Sequence, residues 1–363
     1  MRVLHVTRDI DPASGGPSRS VQGLVASLNK NGVEAWLLTT RRGDLPWIDG
    51  VVHFLNGEPV KRSIVAVKPD IVHIHGLWTW SLHRCAKTCR RFNIPYLVSP
   101  RGMLSPWALR EKEVKKRLAM LLYQRRDLKH AAVLHATAKD EARHFRELGF
   151  DQEIIVVPNG VTIPDNILPK SGNRNKTRIA LFLSRLHPGK GLLTLAEAWS
   201  RIKPVGWRMK VVGPDIYGHK KDVVGYLIEK GISDEWEFID TVDDVKKWEV
   251  YRSADFLVHP SISENFGITI AEALAAELPV ICTKGTPWRD LEEQRCGWWV
   301  DTGVVPLANA LRIAMSITDD ERLEMGMRGR RLIEKKYTWH TSTLPIVKAY
   351  ASLFDPSITA SGV

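Results

Sequence analysis

The stretch HPSISENFGITIAEA, residues 259–273, decides the reading of this 363-residue chain. It follows a strand-like apolar run at 256–258 and passes through a turn at 260–265 into residues at helical spacing, Ile268, Ile270, Ala271 and Leu274. Ser263 and Asn265 are residue types whose side chains cap the unpaired N–H groups of a helix start. Such a start attracts anions through those N–H groups and the helix dipole, and Gly267 lets a ligand approach the backbone closely. Two carboxylates, Glu264 and Glu272, bracket it. If the segment between them is largely helical they lie roughly 12 Å apart, at about 1.5 Å per residue. That span suits a sugar at one end of a diphosphate and a ribose at the other. Without a ligand, the same residues read as a capped helix with one acid complementing the dipole and the other solvated.

Outward from this stretch, strands and helices alternate along the whole chain. In the first half strands are expected at 2–7, 34–39, 71–74, 96–99, 133–136 and 154–157, with a helix near 18–29. Residues 158–177 are rich in Pro, Asn, Gly and Lys and read as a linker. The pattern then repeats, with strands at 179–183, 209–212, 236–239, 256–258 and 280–282 and a helix carrying Leu192, Leu195, Ala196 and Trp199 on one face. The fold class is α/β, with two Rossmann-like domains facing a central cleft. The expected boundaries are 1–165, 166–340 and a C-terminal helix and tail at 341–363 that crosses back to the first domain. In such open sheets ligands bind beyond the carboxyl ends of the strands, so function is expected in the loops that follow them.

Composition narrows the function classes. The apolar fraction of 44% and charged fraction of 26% are those of a globular protein. No apolar run approaches the roughly 18 residues of a membrane span. MRVLHVT reads directly as a first strand and not as a secretion signal, which sets the expectation of a cytoplasmic protein. Cys85, Cys89, Cys282 and Cys296 match no CxxC or zinc spacing and read as reduced packing residues. The net charge of +11 points to an anionic partner, and the absence of a nucleic-acid-binding motif argues against nucleic acid.

The stretch at 259–273 resembles the Glu-x7-Glu signature of the retaining glycosyltransferases of family 4, including the Pro-Ser before it and the Phe-Gly and Glu-Ala within it. The resemblance extends over nearly the whole chain, is strongest over 157–300, and implies the two-domain architecture called GT-B. It implies that Glu264 contacts the transferred sugar, that Asn265, Phe266, Gly267 and Ile268 hold sugar and phosphate, and that Glu272 binds the ribose hydroxyls. SRLHPGKG, residues 184–191, is similar to the family's Arg-x4-Lys motif, whose cations grip the donor diphosphate; here these are Arg185 and Lys190. Such cations stabilise charge on the leaving group and stand in for a metal, so no metal or other cofactor is expected. Gly213 and Val242, in segments ending two second-domain strands, correspond to the base and phosphate pocket. On the residues alone, SRLHPGKG also reads as a tight turn with two solvated cations.

The first domain departs further from the family. Gly15, Gly16 and Ser18 lie in SGGPSRS, similar to a Gly-Gly loop that contacts acceptor or phosphate. Asp9 and Asp11 spell an Asp-x-Asp that belongs to a different fold and is read as accidental. Many family members carry a His where Arg101 stands. Either His75 substitutes for it, or Arg101 binds a phosphate of donor or acceptor, or His75 is a satisfied structural histidine. The segment 110–130 places Val114, Leu118, Leu121, Leu122 and Leu128 at helical spacing among Lys115, Lys116, Arg125, Arg126 and Lys129. It reads either as a surface helix packed on its sheet or as an attachment to anionic lipid, with Trp107 at the interface and each basic residue adding about 1 kcal/mol.

The expected function is a retaining glycosyltransferase that moves a hexose from a UDP- or GDP-linked sugar to a hydroxyl. The expected acceptor is a glycan or polyprenyl-diphosphate-linked oligosaccharide of surface polysaccharide or lipopolysaccharide assembly, reached by a protein peripheral to the cytoplasmic membrane. A nucleotide-sugar 2-epimerase of the same architecture and a non-catalytic nucleotide- or lipid-binding scaffold are the alternatives.

Overall fold

The structure, a computed structural model, describes residues 1–11, 16–41, 53–164 and 177–354. They form two compact units, one from the described residues of Met1–Thr162 and Tyr337–Val363, the other from those of Ile163–Lys336. In the first unit lie β1 (Arg2–Thr7), β2 (Glu34–Thr39), β3 (His53–Asn56), β4 (Ile71–His75), β5 (Tyr96–Ser99), β6 (Val133–Ala136) and β7 (Glu153–Val156). Their order in the sheet is β3-β2-β1-β4-β5-β6-β7. The second unit holds β8 (Arg178–Leu183), β9 (Trp207–Val212), β10 (Trp236–Ile239), β11 (Phe256–His259), β12 (Val280–Thr283) and β13 (Gly297–Val300), ordered β10-β9-β8-β11-β12-β13.

Every strand pairing is parallel. A parallel sheet needs crossover helices, which cover both faces and bury the central strands throughout. On one face of the first sheet Val3, Ile71, Leu97 and Val133 pack with Leu24, Val25 and Leu28 of the helix Gly16–Lys30 and with Ile346 and Tyr350 of the helix Trp339–Phe354. Gly23 permits that approach, since a Cβ there would lie 2.2 Å from the Trp339 ring. On the other face Leu4, Val72, Ile74 and Val98 meet Leu82, Cys85 and Cys89 of the helix Trp80–Phe92. In the second unit Phe182, Met209, Val211, Phe256 and Ile281 pack against Leu195, Trp199, Leu307 and Leu311. All four cysteines are buried free thiols.

In each unit the strand order reverses once beside the first strand, between β1 and β4 and between β8 and β11. Such a reversal opens a crevice between loops that leave in opposite directions, and it is where doubly wound sheets bind ligands. The loops after β8 and β11 are SRLHPGKG and the stretch that begins at Pro260.

Three expectations need correction. The edge strands β3 and β13 were not anticipated; HFLN and GWWV are only four residues long and partly exposed, so they lack the buried apolar run that marks the central strands. Segment 110–130 is not one continuous helix. Glu111 is extended and Lys112 left-handed (φ 52°) between the helices Pro106–Arg110 and Glu113–Ala119, and Met120–Gln124 forms a π-helical turn. It is also not packed on its sheet along the expected stripe, because Val114, Leu118, Leu121 and Leu122 are exposed and only Leu128 is buried. The third concerns the start of the helix Ile268–Ala275. Gly15 lies outside the described residues, as do residues 165–176 of the expected linker. Among the described residues no helix is long and apolar enough to cross a membrane.

Candidate functional site

The loop after β11 is clamped by close backbone contacts. At Gly191 a Cβ would lie 2.1 Å from the Pro260 carbonyl oxygen, and at Gly285 one would lie 2.2 Å from that of Ile262. The Ile262 N–H donates to Gly189 at 2.9 Å and the Glu264 N–H to Gly285 at 2.8 Å. The Thr283 hydroxyl donates to the Ser261 carbonyl, and the Trp288 indole N–H to that of Phe266. Residues 260–266 are therefore held between the loop after β8 and the loop after β12.

Glu264 sits inside this clamp. Its carboxylate meets the Lys190 ammonium, His259 Nε2 at 2.9 Å and the Ser261 hydroxyl at 3.3 Å. Burial acts to raise its pKa, but the Lys190 charge and the hydrogen bonds from His259 and Lys190 outweigh it and hold the group well below the ordinary carboxylate range. Glu264 is thus an anion fixed at the crevice rather than a proton donor.

The helix that follows begins differently from the expectation. Gly267, rather than Ser263 or Asn265, occupies the N-cap, in the left-handed region (φ 78°) and with no side-chain cap bond of its own. Residues 260–267 are not helical, so the helical rise does not set the separation of Glu264 from Glu272. A left-handed Gly allows the sharp entry, and of the first N–H groups of the helix that of Ile270 donates to the Gly267 carbonyl at 2.9 Å while those of Ile268 and Thr269 have no partner within the helix.

One turn into the helix, Glu272 is buried. Its Oε1 accepts from Lys247 Nζ at 2.8 Å and its Oε2 from the Tyr251 hydroxyl at 2.9 Å. Lys247 and Tyr251 stand at i and i+4 of the helix Asp244–Ser253, whose N-cap Asp243 accepts from the N–H groups of Val245 and Lys246 at 3.0 and 2.8 Å. Val242 precedes that cap and is half-buried. Gly213 brings the end of β9 against the loop carrying Arg185, since a Cβ there would lie 2.1 Å from the Ser184 carbonyl. Arg185 is half-buried on that loop. Glu264 and Lys190 are thus brought together, whereas Glu272 has partners of its own.

In the first unit, Arg101 follows β5 in the left-handed region (φ 57°), which a non-glycine residue adopts only at a cost. Glu141 holds that turn by accepting from the Gly102 N–H at 2.5 Å and the Thr137 N–H at 2.8 Å. Burial raises the pKa of Glu141 against the lowering effect of those bonds. Arg101 itself is buried. Its Nη1 donates to Ser20 Oγ at 3.0 Å and Asn159 Oδ1 at 2.7 Å, and its Nη2 lies 3.2 Å from His75 Nδ1. The expected Arg101 and His75 therefore touch. Ser18 is buried two residues from the contacting Ser20, and a Cβ at Gly16 would meet open space.

His75 belongs to a row of buried histidines on one face of the sheet. His75 Nε2 lies 3.0 Å from His5 Nδ1, and His5 Nε2 lies 3.4 Å from the Tyr350 hydroxyl. That hydroxyl is 2.6 Å from His73 Nδ1, and His73 Nε2 is 3.4 Å from His135 Nδ1. The row ends with His135 Nε2 at 2.9 Å from the Val157 carbonyl. Ring nitrogens of His5, His73 and His75 lie within 4.8 Å of one another, a spacing at which imidazoles can share a metal ion. The donor set does not suit one. The ring nitrogens are already paired along the row, and a dication would face the Arg101 guanidinium in a medium where like charges repel strongly.

Lys247, Tyr251, Ser20, Asn159, Glu141 and Tyr350 were not singled out from sequence, and His259 and Ser261 only as part of the stretch that carries the resemblance, without a role. The only usable signal was the i, i+4 pair of Lys247 and Tyr251.

Two family models match, one described as "Glycosyl transferase 4-like domain" over residues 15–160 and one as "Glycosyl transferases group 1" over residues 165–332. The chain belongs to the group 1 glycosyltransferases, of family 4 type. It is 25% identical over 391 residues to a GDP-mannose:cellobiosyl-diphosphopolyprenol alpha-mannosyltransferase of Komagataeibacter xylinus, covering 98% of this chain and 93% of the relative. It is 26% identical over 283 residues to a phosphatidyl-myo-inositol mannosyltransferase of Mycobacterium leprae, covering 72% and 74%. Among solved structures, a sucrose-phosphate synthase of Thermosynechococcus elongatus superposes with a TM-score of 0.80 at 18% identity, covering 98% of this chain and all of that one. The two parallel-sheet α/β domains have the GT-B fold, and the protein is a glycosyltransferase.

The four neutral histidines set a pH window for stability. Burial pushes His5 and His135 down to about 3, with the Arg101 charge acting in the same direction. Burial also holds His73 and His75 well below the ordinary imidazole range. In the unfolded chain each titrates near about 6.5. The unfolded state therefore takes up protons first as pH falls, and stability present above about 6.5 is lost toward about 3, at up to about 1.4 kcal/mol per pH unit for each group. Glu141, with a raised pKa, acts in the opposite sense. Denaturant unfolding of the first unit should show stability falling between pH 6.5 and 5, above the range where carboxylates with lowered pKa titrate; an unchanged midpoint across that interval contradicts the neutral row.

Proposed function

We propose that this glycosyltransferase moves mannose from GDP-mannose to a hydroxyl of a polyprenyl-diphosphate-linked glycan, with retention of anomeric configuration. The observation that carries the reading is the Glu264 carboxylate fixed between Lys190 and His259 at the switch point of the second sheet. The donor and acceptor classes draw support from the names of the mannosyltransferase relatives, both of which pair a mannosyl transfer with a lipid-borne acceptor. In this reading the second unit takes the nucleotide sugar and the first the acceptor.

Each residue has a chemical task. Glu264 accepts from sugar hydroxyls and orients the ring. The N–H groups from Asn265 to Ile268 and the cations Arg185 and Lys190 receive the charge that builds on the departing diphosphate, so the transfer needs no metal. Glu272 accepts from the ribose hydroxyls. Lys247 and Tyr251 occupy one position on each of its oxygens, and a carboxylate offers about four. Gly213 and Val242 line the base and phosphate pocket. In the transfer the bond from the anomeric carbon to the diphosphate breaks and the acceptor oxygen bonds to the same face. Its proton passes to a diphosphate oxygen, so GDP leaves as the protonated product.

The segment 110–130 supports a location on the inner face of the cytoplasmic membrane. Val114, Leu118, Leu121 and Leu122 are 80%, 55%, 82% and 68% exposed. Exposed Lys112, Lys115, Arg117, Arg125, Arg126 and Lys129 lie in the same segment and outnumber its exposed acids Glu111 and Glu113, the second of which pairs with Arg117. An apolar strip among such cations suits a leaflet with anionic headgroups, which attract the cations while the strip enters the acyl boundary.

Incubation with GDP-mannose and a prenyl-diphosphate-linked glycan should yield a product whose anomeric proton coupling matches that of the donor. Arg185→Ala should lower turnover by about 100-fold or more. A product of inverted configuration, or near-normal turnover by the variant, contradicts the mechanism.

The wild-type protein should sediment with vesicles containing phosphatidylglycerol and much less with phosphatidylcholine alone. Leu121→Glu combined with Leu122→Glu should abolish sedimentation while leaving the fold intact. Wild-type protein that stays in the supernatant with both vesicle types contradicts the membrane reading.

A further inference from the structure

The buried row has one property that its individual contacts do not display. A guanidinium can only donate hydrogen bonds, and a backbone carbonyl can only accept them. Arg101 stands at one end of the row and the Val157 carbonyl at the other, so both ends impose the same direction. His75 must accept through Nδ1 and therefore carries its proton on Nε2, which it donates to His5. His5 donates to the Tyr350 oxygen, Tyr350 to His73, and His73 to His135. All four rings are neutral Nε2–H tautomers, and each of their nitrogens has a partner.

The row thereby supplies Arg101 with an acceptor that bears no charge. Its other acceptors, Ser20 Oγ and Asn159 Oδ1, are also neutral. Among the described residues no carboxylate lies within ion-pair distance of Arg101, and its Nε has no hydrogen-bond partner. A buried cation is ordinarily paired with an acid. Here the guanidinium is hydrogen-bonded by neutral groups alone, with Glu141 acting on it only from beyond ion-pair distance, so its charge is not cancelled by a direct partner and remains for a ligand. An acid in place of His75 would cancel that charge, and an apolar residue would leave an N–H unpaired.

We propose that Arg101 is an anion site for a phosphate or diphosphate group, and that the one-way hydrogen-bond row running from it through His75, His5 and Tyr350 to Val157 positions its guanidinium without neutralising it. The ligand class deepens the transferase reading and rests on it; the polarity of the row does not. His75 and Tyr350 are positioning residues, acting through Arg101. Because Tyr350 lies on the helix Trp339–Phe354, that helix becomes a part of the first unit's site.

The test is nitrogen NMR of the labelled full-length protein. At neutral pH the four buried histidines should all report as neutral Nε2–H tautomers, and inorganic pyrophosphate should move the His75 and Arg101 Nε resonances. Asn159→Asp, which places a carboxylate where a neutral acceptor stands, should leave the tautomers and the fold unchanged yet weaken pyrophosphate at this site by about tenfold or more. Tyr350→Phe removes the acceptor of the His5 Nε2–H and the donor to His73 Nδ1, so it should shift the His5 and His73 resonances, leave His75 as the Nε2–H tautomer that Arg101 imposes, and lower the same affinity. GDP and geranyl diphosphate, added separately, distinguish a nucleotide source of the phosphate from a lipid source by which one moves the Arg101 signal. A His75 protonated on Nδ1, an imidazolium in the row, an Asn159→Asp protein with undiminished affinity, or an Arg101 signal that no diphosphate moves would each overturn the proposal. Pyrophosphate binding at Arg101 without any sugar transfer would support it while removing the transferase mechanism.

Discussion

The contact between Lys190 and Glu264 organises the second unit. It joins the loop after β8 to the loop after β11, and these strands flank the reversal of strand order. A lone carboxylate at that depth would gain a proton and lose its use as an acceptor. With Lys190 and His259 against it, the group stays ionised and stationary. Gly191 is required for this, because its close approach to Pro260 brings the two loops within reach of each other, and Gly285 in the loop after β12 holds Ile262 as closely. The fixed charge therefore depends on backbone packing more than on the strength of any one ion pair.

The first unit solves a related problem by the opposite means. Both sheets have the same order about their first strand, so both present a crevice at equivalent loops. In the second unit the crevice cation is matched by an acid. In the first, Arg101 is matched by Ser20, Asn159 and His75, all neutral, with Glu141 holding the turn and not the guanidinium. One crevice thus carries an anion held by a lysine and the other a cation among neutral partners. The central strands accept four histidines in an otherwise apolar layer because every ring nitrogen finds a partner there.

The central strands were legible because burial on both faces of a parallel sheet leaves continuous apolar runs such as RIALFL and FLVH. The edges β3 and β13 were not, since an edge strand needs no such run. The paired roles of Glu264 and Lys190 were legible only through resemblance; spacing along the chain suggested a helical separation that left-handed Gly267 prevents. The groups that tune the site, Lys247 and Tyr251 on Glu272 and Tyr350 in the histidine row, come from elements distant in sequence. Their roles exist only once the chain is folded. Segment 110–130 carried a helical period, but the left-handed Lys112 and the π-helical turn after Ala119 leave no periodic trace in sequence.

The central claim is a nucleotide-diphosphate site in the second unit with Glu272 on the ribose. Calorimetric titration of the protein with GDP, UDP and ADP, beside Glu272→Ala, tests it most directly. The account predicts that GDP binds in preference to the others and that the variant loses most of that affinity. Absence of binding by all three, or a variant that binds GDP as tightly as the wild type, contradicts it.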